Sequence, residues 1–488
     1  DLALQGTLDN DTITLGSNLA SVNDRTSVTF SSFDDVSLLG LDGDDTLTVD
    51  PTSLAGVTTV AVLGGLGQDS LHVLGSGGAD AIGFAPTSST AAAVTITGAA
   101  TTNITGTELL LIDGAEGNDT LTVTTPAGAT TTSLTPGATI DSGDIQVASL
   151  LAMSFENLGT TGSVVLDDAD AVADDTLVYH GSGSDDSFGV SATGIISLNS
   201  QVSVDVAADV ATLTLDGLDG DDTFAVTAGH GIGTVHLVGG GPSASDVANL
   251  TGDGTAVTVA LSDPASVSGG GLGTINLPGI EQVNLDAASG DVAANGTTGD
   301  DTLSYAPTGS DAGTIAVDGL NTGFSLSNVG SLTIDTAAGT DLVTVLGNAS
   351  DNTIGVIRAA NTSVTVDALQ AAEIVSASTE HLVVSAGLGD DTTNVSGTGG
   401  PELTIDGGGN SDTLNIANTA AGTTTVSPGS TSDSGSIQTP DTANTTSFAG
   451  IEFVTLTGAS ATDDLALQGT LDNDTITLGS NLASVNDR

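Results

Sequence analysis

The sequence predicts an all-β protein, a parallel β-helix or β-solenoid in which short strands stack coil upon coil. Three observations lead there: a strand-and-turn composition, a recurring strand–turn–strand phrase, and a spacing of that phrase that fits one coil. Gly accounts for 66 of 488 residues, aromatics for 2%, and Cys, Trp and Lys are absent. Thr and Val favour extended backbone, Gly and Asp favour turns, and no stretch sustains a 3.6-residue apolar period. A hydrophobic fraction of 38% is enough to fold the chain despite its charge. Tandem β-sandwiches are the alternative, because Asp-Gly pairs such as Asp42-Gly43 and Asp216-Gly217 suit hairpin turns. Scarce aromatics favour the thin aliphatic core of a solenoid.

The phrase is clearest in residues 64–72, GGLGQDSLH, with close variants at 40–48, 114–122, 217–225, 296–304 and 407–415. Weaker copies occupy 6–14, 75–83, 181–189 and 386–394. After each turn the residues alternate, as in Thr46-Leu47-Thr48-Val49, which directs Leu and Val to one face and Thr to the other. A second strand precedes many turns, as in TELLLIDG at 107–114, TEHLVVSAG at 379–387 and IEFVTLTG at 451–458.

The sixth-place Asp recurs 24 residues on from Asp45 to Asp69 and from Asp222 to Asp246, and 21 residues on from Asp391 to Asp412. Such spacings predict equivalent turns stacked roughly 4.8 Å apart, and roughly 20 coils in a 463-residue unit. Longer intervals are expected to be coils without the acidic signature, or bulged loops such as 125–141 and 417–446.

The formal net charge of −58 leaves no basic footprint for nucleic acid, and no run of about 18 apolar residues provides a membrane span. Salt adaptation would use Glu freely, yet Glu is rare beside Asp, and most of the Asp sit near Gly in turns. That bias points to oxygen ligands on tight backbone. Gly residues let the turn adopt positive φ and aim carbonyls inward, and the Asp carboxylate adds a hard oxygen suited to Ca²⁺. Asx side chains also cap backbone amides without any metal, so both readings stand at each turn. The five His (His72, His180, His230, His236 and His381) show no zinc-ligand spacing.

GGLGQDSLH matches the nine-residue GGxGxDxUx pattern, and the chain therefore resembles hemolysin-type (RTX) calcium-binding repeats. The resemblance implies Ca²⁺ as cofactor, with Asp45, Asp69, Asp119, Asp222, Asp301, Asp391 and Asp412 as carboxylate ligands. Neighbouring Asp44, Asp221, Asp300 and Asp390 either ligate or add field. The pattern departs from the family where the second Gly is replaced, at Leu41, Ala115 and Leu218, and where Asn352 takes the sixth place. The wider phrase is similar to very large repetitive bacterial surface proteins.

Residues 1–25 recur unchanged as 464–488. The expectation is one tandem unit, 1–463, followed by the start of the next, in a longer chain whose identical units join head to tail, with lateral bundling as a further option. The functional expectation is a non-enzymatic structural segment of an extracellular or cell-surface, calcium-stiffened fibre, stalk or matrix filament. The alternative is the extender of a large adhesin. A polysaccharide-active β-helix enzyme ranks lower, since aromatic sugar platforms are nearly absent and Arg358 is the only basic Lys or Arg outside the duplicated segments.

Overall fold

The computed structural model describes residues 1–170, 172–206, 210–241, 245–441 and 444–469, with the backbone of the strands Ile476–Gly479 and Leu482–Val485. Short strands fill it. Apart from a 3-10 turn at Pro51–Ser53, no helix occurs among the described residues, so none is long and apolar enough to cross a membrane. Two compact units divide the chain: Asp1–Ala248 with Gly273–Ile280, and Asn249–Leu272 with Glu281–Arg488.

In the first unit each coil gives one strand to each of two sheets. One sheet stacks Leu2–Gln5, Asp35–Asp42 and Thr59–Leu66 in parallel, with Leu2 opposite Val36 and Val36 opposite Val60. The other stacks Thr12–Gly16, Thr46–Val49, Ser70–Leu74 and Leu109–Asp113 in the same sense. Alternation works as the sequence requires. Leu38, Leu47, Val62 and Leu71 turn inward and are buried, while Ser37, Thr48 and His72 turn outward. Each fully buried Leu or Val contributes about 1.5–3 kcal/mol of hydrophobic stabilisation. Two of the few aromatics stack across coils: Phe188 lies opposite Phe224 with ring centroids 5.4 Å apart.

The second unit repeats the plan. Leu342–Leu346, His381–Ser385 and Glu402–Asp406 stack in parallel, as do Thr353–Arg358, Thr392–Gly397 and Thr413–Ala417. Its core includes Ile354, Val384, Ile405 and Leu414, all fully buried. Tyr305 is buried as well, and its hydroxyl donates to the Gln370 carbonyl at 3.0 Å.

Both units depart from a uniform β-helix in the same way. The register advances 24 residues from Val36 to Val60 but 42 from Val60 to Thr102, and 43 from Leu121 to Val164. The long steps are single coils enlarged by three-stranded meanders. Ala81–Ser88, Ala91–Ile96 and Thr101–Thr105 pair antiparallel in sequence, and their outer strands rejoin the parallel stack beside Thr120–Thr125 and Thr59–Leu66. In the second unit Thr302–Gly309, Ala312–Val317 and Gly323–Ser327 form another. Hence the intervals expected to be signature-free coils or bulged loops are ladder-forming hairpins: 125–141 holds Thr131–Pro136, and 417–446 holds Thr423–Pro428 and Gly435–Gln438. Roughly 20 coils per unit is therefore too many, because that figure divided the unit by the short spacing alone.

Candidate metal centre in the acidic turns

The turns align into columns held by side chains rather than by strand pairing alone. In the first unit the Asp11 N–H donates to Asp45 Oδ1 at 2.8 Å and the Asp45 N–H to Asp69 Oδ1 at 2.8 Å. The Asp69 N–H then donates to Glu108 Oε2 at 2.8 Å. Asp80 to Asp119 and Asp186 to Asp222 to Asp246 repeat the link. In the second unit the columns run Asp301 to Asp341 to Glu380, and Asn352 to Asp391 to Asp412 to Glu452. Three of the rare Glu thus close columns, where the longer side chain reaches back from the strand that follows it.

Among the expected ligands, Asp45, Asp69, Asp119, Asp222, Asp391 and Asp412 are almost wholly buried, and Asp301 is 7% exposed. Asp44, Asp221, Asp300 and Asp390 are exposed. Three of these fifth-place side chains form outer columns of opposite sense. Asp44 Oδ1 accepts from the Gln68 N–H of the next turn, Asp300 from Thr340 and Asp390 from Ser411. Amide capping, the role that needs no metal, is therefore present in both columns.

What capping leaves over is one carboxylate oxygen. Oδ2 of Asp45, Asp69, Asp119, Asp222, Asp341, Asp391 and Asp412 is buried without a hydrogen-bond partner. The cause lies four residues earlier, at the second place of the turn. Leu41, Ala115, Leu218 and Ala337 hold positive φ there (88°, 61°, 70° and 66°), as do Gly65, Gly387 and Gly408. Positive φ turns the N–H of that residue away from the carboxylate; Ala115 and Ala337 donate instead to Asp113 and Asp335, two residues back. Where the second place is Thr7, Ser76, Ser182 or Thr297, φ is ordinary and the N–H donates to Oδ2 of Asp11, Asp80, Asp186 or Asp301. Asn352 is held in the same way by the Asn348 N–H. These closed turns begin columns, and Asp301 is among them.

A carbonyl oxygen of the next coil lies near the sixth-place Oδ2, in the closed Asp11 turn as well as in the open ones. A Cβ added at Gly40 would overlap both Asp45 Oδ2 and the Gly64 carbonyl oxygen of the next coil. At Gly64 the same oxygens come from Asp69 and Gly106. At Gly40 and Gly64 space thus requires glycine, although Thr336 and Ala386 hold the first place in the turns of Asp341 and Asp391. Burial pushes the carboxyls of Asp45, Asp69, Asp391 and Asp412 above their ordinary values, and those of Asp119 and Asp222 up to about 6; nearby carboxylates add to the rise and the single N–H on Oδ1 opposes it. Burial acts on Asp11 too, but the Thr7 N–H, the Asn23 amide, the Thr7 hydroxyl and Arg25 outweigh it and hold that carboxyl below its usual range. An open turn therefore presents only hard oxygens and lacks a positive partner, a donor set that fits Ca²⁺.

Two groupings escaped the sequence because stacking, not spacing, assembles them. Asp341 joins the inner column although its turn, TAAGTD, lacks the Gly at place one. His72, Asp113 and Glu156 converge from three successive coils, 41 and 43 residues apart. Asp168, at the end of Ser163–Asp168, also clusters with Asp170 and Asp174 just beyond it, a local grouping within one stretch of chain. Set against known proteins, the chain matches no family model and no curated protein.

Proposed function

We propose that this chain is a structural segment of an extracellular filament or stalk whose acidic turns are cross-linked by Ca²⁺. The observation that carries this reading is the set of seven buried Oδ2 atoms without partners, each on a stacked turn of positive-φ backbone. Asp45, Asp69, Asp119, Asp222, Asp341, Asp391 and Asp412 would hold the ions, and Ca²⁺ would supply the positive charge that a protein of net charge −58 lacks. The hemolysin-type motif in residues 64–72 supports the same ion. Equilibrium dialysis with radioactive Ca²⁺ tests it. Asp45→Asn and Asp69→Asn should lower the number of ions bound, whereas Asp11→Asn should leave it unchanged. Equal loss from all three, or none, would remove the reading.

The duplicated segment supports head-to-tail growth. Leu2–Gln5 pairs in parallel with Asp35–Asp42 on one edge. Its copy, Asp464–Leu467, pairs in parallel with Thr423–Pro428, and the Gln468 N–H donates to the Val426 carbonyl at 2.9 Å. One strand sequence thus has a partner for each edge. In a tandem chain a single copy would carry both, making the boundary between units one more rung. A chain of two consecutive units should then melt in a single transition at or above the midpoint of one unit.

A further inference from the structure

We propose that His72, Asp113 and Glu156 form a binding site for a divalent transition-metal ion of the zinc class, separate from the calcium columns. The three side chains stand on the outward face of neighbouring parallel strands, Ser70–Leu74, Leu109–Asp113 and Met153–Glu156. His72 is opposite Leu111, and Asp113 is opposite Glu156, so the imidazole lies diagonal to the first carboxylate, with the second stacked behind it. One ligand atom from each lies within 4.8 Å of the other two.

The imidazole is not simply ion-paired. His72 Nε2 is buried without a hydrogen-bond partner and stands 3.5 Å from Asp113 Oδ2. That is long for a hydrogen bond, but it is the separation of roughly 3.4 Å that two ligands about 2.1 Å from one tetrahedral ion would have. Hydrogen bonds already fix the Asp113 carboxylate. Its Oδ1 accepts from the Ala115 N–H at 2.8 Å and the Asn157 amide at 2.9 Å, leaving Oδ2 free to face the histidine. The other two cross-coil pairs are closer through Nδ1, His180 to Asp216 at 3.0 Å and His381 to Glu402 at 3.3 Å. Neither belongs to a three-ligand cluster among the described residues. One imidazole nitrogen with two carboxylates selects a borderline ion over Ca²⁺, and a fourth position is left for water. The ion would tie three successive coils together.

Isothermal titration of the full chain with Zn²⁺, in buffer saturated with Ca²⁺, tests the site without involving the columns. The expected result is one saturable equivalent per chain, lost in His72→Ala and retained in His180→Ala and His381→Ala. Asn157→Ala, which removes an orienting contact, should weaken it roughly 10-fold. Electron paramagnetic resonance of bound Cu²⁺ should show coupling to one nitrogen, absent in His72→Gln. His72 is about one-third exposed, so both His72 variants should keep the wild-type melting midpoint in the absence of Zn²⁺. Zn²⁺ uptake that His72→Ala and His72→Gln leave unchanged, or no saturable uptake by the wild type, would overturn the proposal while leaving the calcium reading intact.

Discussion

The turns ending in Asp11 and Asp45 lie one above the other and share the sixth-place carboxylate, linked by the Asp11 N–H. In the first, ordinary backbone at Thr7 brings an N–H onto Oδ2, and Asn23 donates to Oδ1 at 2.5 Å. In the second, Leu41 has φ of 88°, and Oδ2 is left with no donor. The first turn is self-sufficient. The second is complete only with a cation or a proton. Column starts are therefore caps, and column interiors are the candidate ion sites.

Substitutions can break this contrast in order of size. Gly40→Ala should be the most damaging, because the Gly64 carbonyl is backbone and cannot move aside; a loss of about 3 kcal/mol is expected in urea unfolding. Asp45→Ala leaves the buried Asp11 N–H without an acceptor and should cost about 1–3 kcal/mol. Asp45→Asn keeps that acceptor and removes a charge that burial disfavours, so in EGTA it should be neutral or stabilising. Asp11→Asn exchanges a buried but well hydrogen-bonded anion for an amide and should destabilise by about 1 kcal/mol under the same conditions. If the two Asn variants behave alike in EGTA, the contrast fails. Leu41→Gly relieves a left-handed leucine and should stabilise by about 1 kcal/mol. Asp44→Ala, on the exposed outer column, should change stability by less than about 0.5 kcal/mol.

Much of this was legible in the chain itself. Period-two alternation after each turn gave the strands and their inward faces, and the 24-residue step from Asp45 to Asp69 gave the stacking. The meanders were not legible as such, because Ala91–Ile96 alternates like any other strand and only pairing reveals its direction. Within the site, the sixth-place Asp could be read, but not its division of labour. The signal was present at place two: Thr7, Ser76, Ser182 and Thr297 open columns, whereas Leu41, Ala115 and Leu218 continue them. Those last three look like losses of the motif Gly, yet the backbone keeps the conformation that Gly would adopt. Glu108, Glu380 and Glu452 were visible only as rare residues, since their role depends on a turn 39 or 40 residues away.

Thermal unfolding of the full chain, in Ca²⁺ and in EGTA and across pH, decides whether the buried carboxylates take up an ion or a proton. Asp119 and Asp222 have folded values near 6 against 3.8 unfolded, so without Ca²⁺ their contribution is fully present below pH 3.8 and lost as pH rises through 6. In EGTA these groups should raise the midpoint as pH falls from 7.5 to 5.5. In Ca²⁺ the midpoint at pH 7.5 should be higher by roughly 10 °C or more, and it should fall on acidification as protons compete with the ion. Equal midpoints in Ca²⁺ and EGTA at pH 7.5, with the same pH trend in both, would show that the buried carboxylates are satisfied by protons alone and would contradict the calcium account.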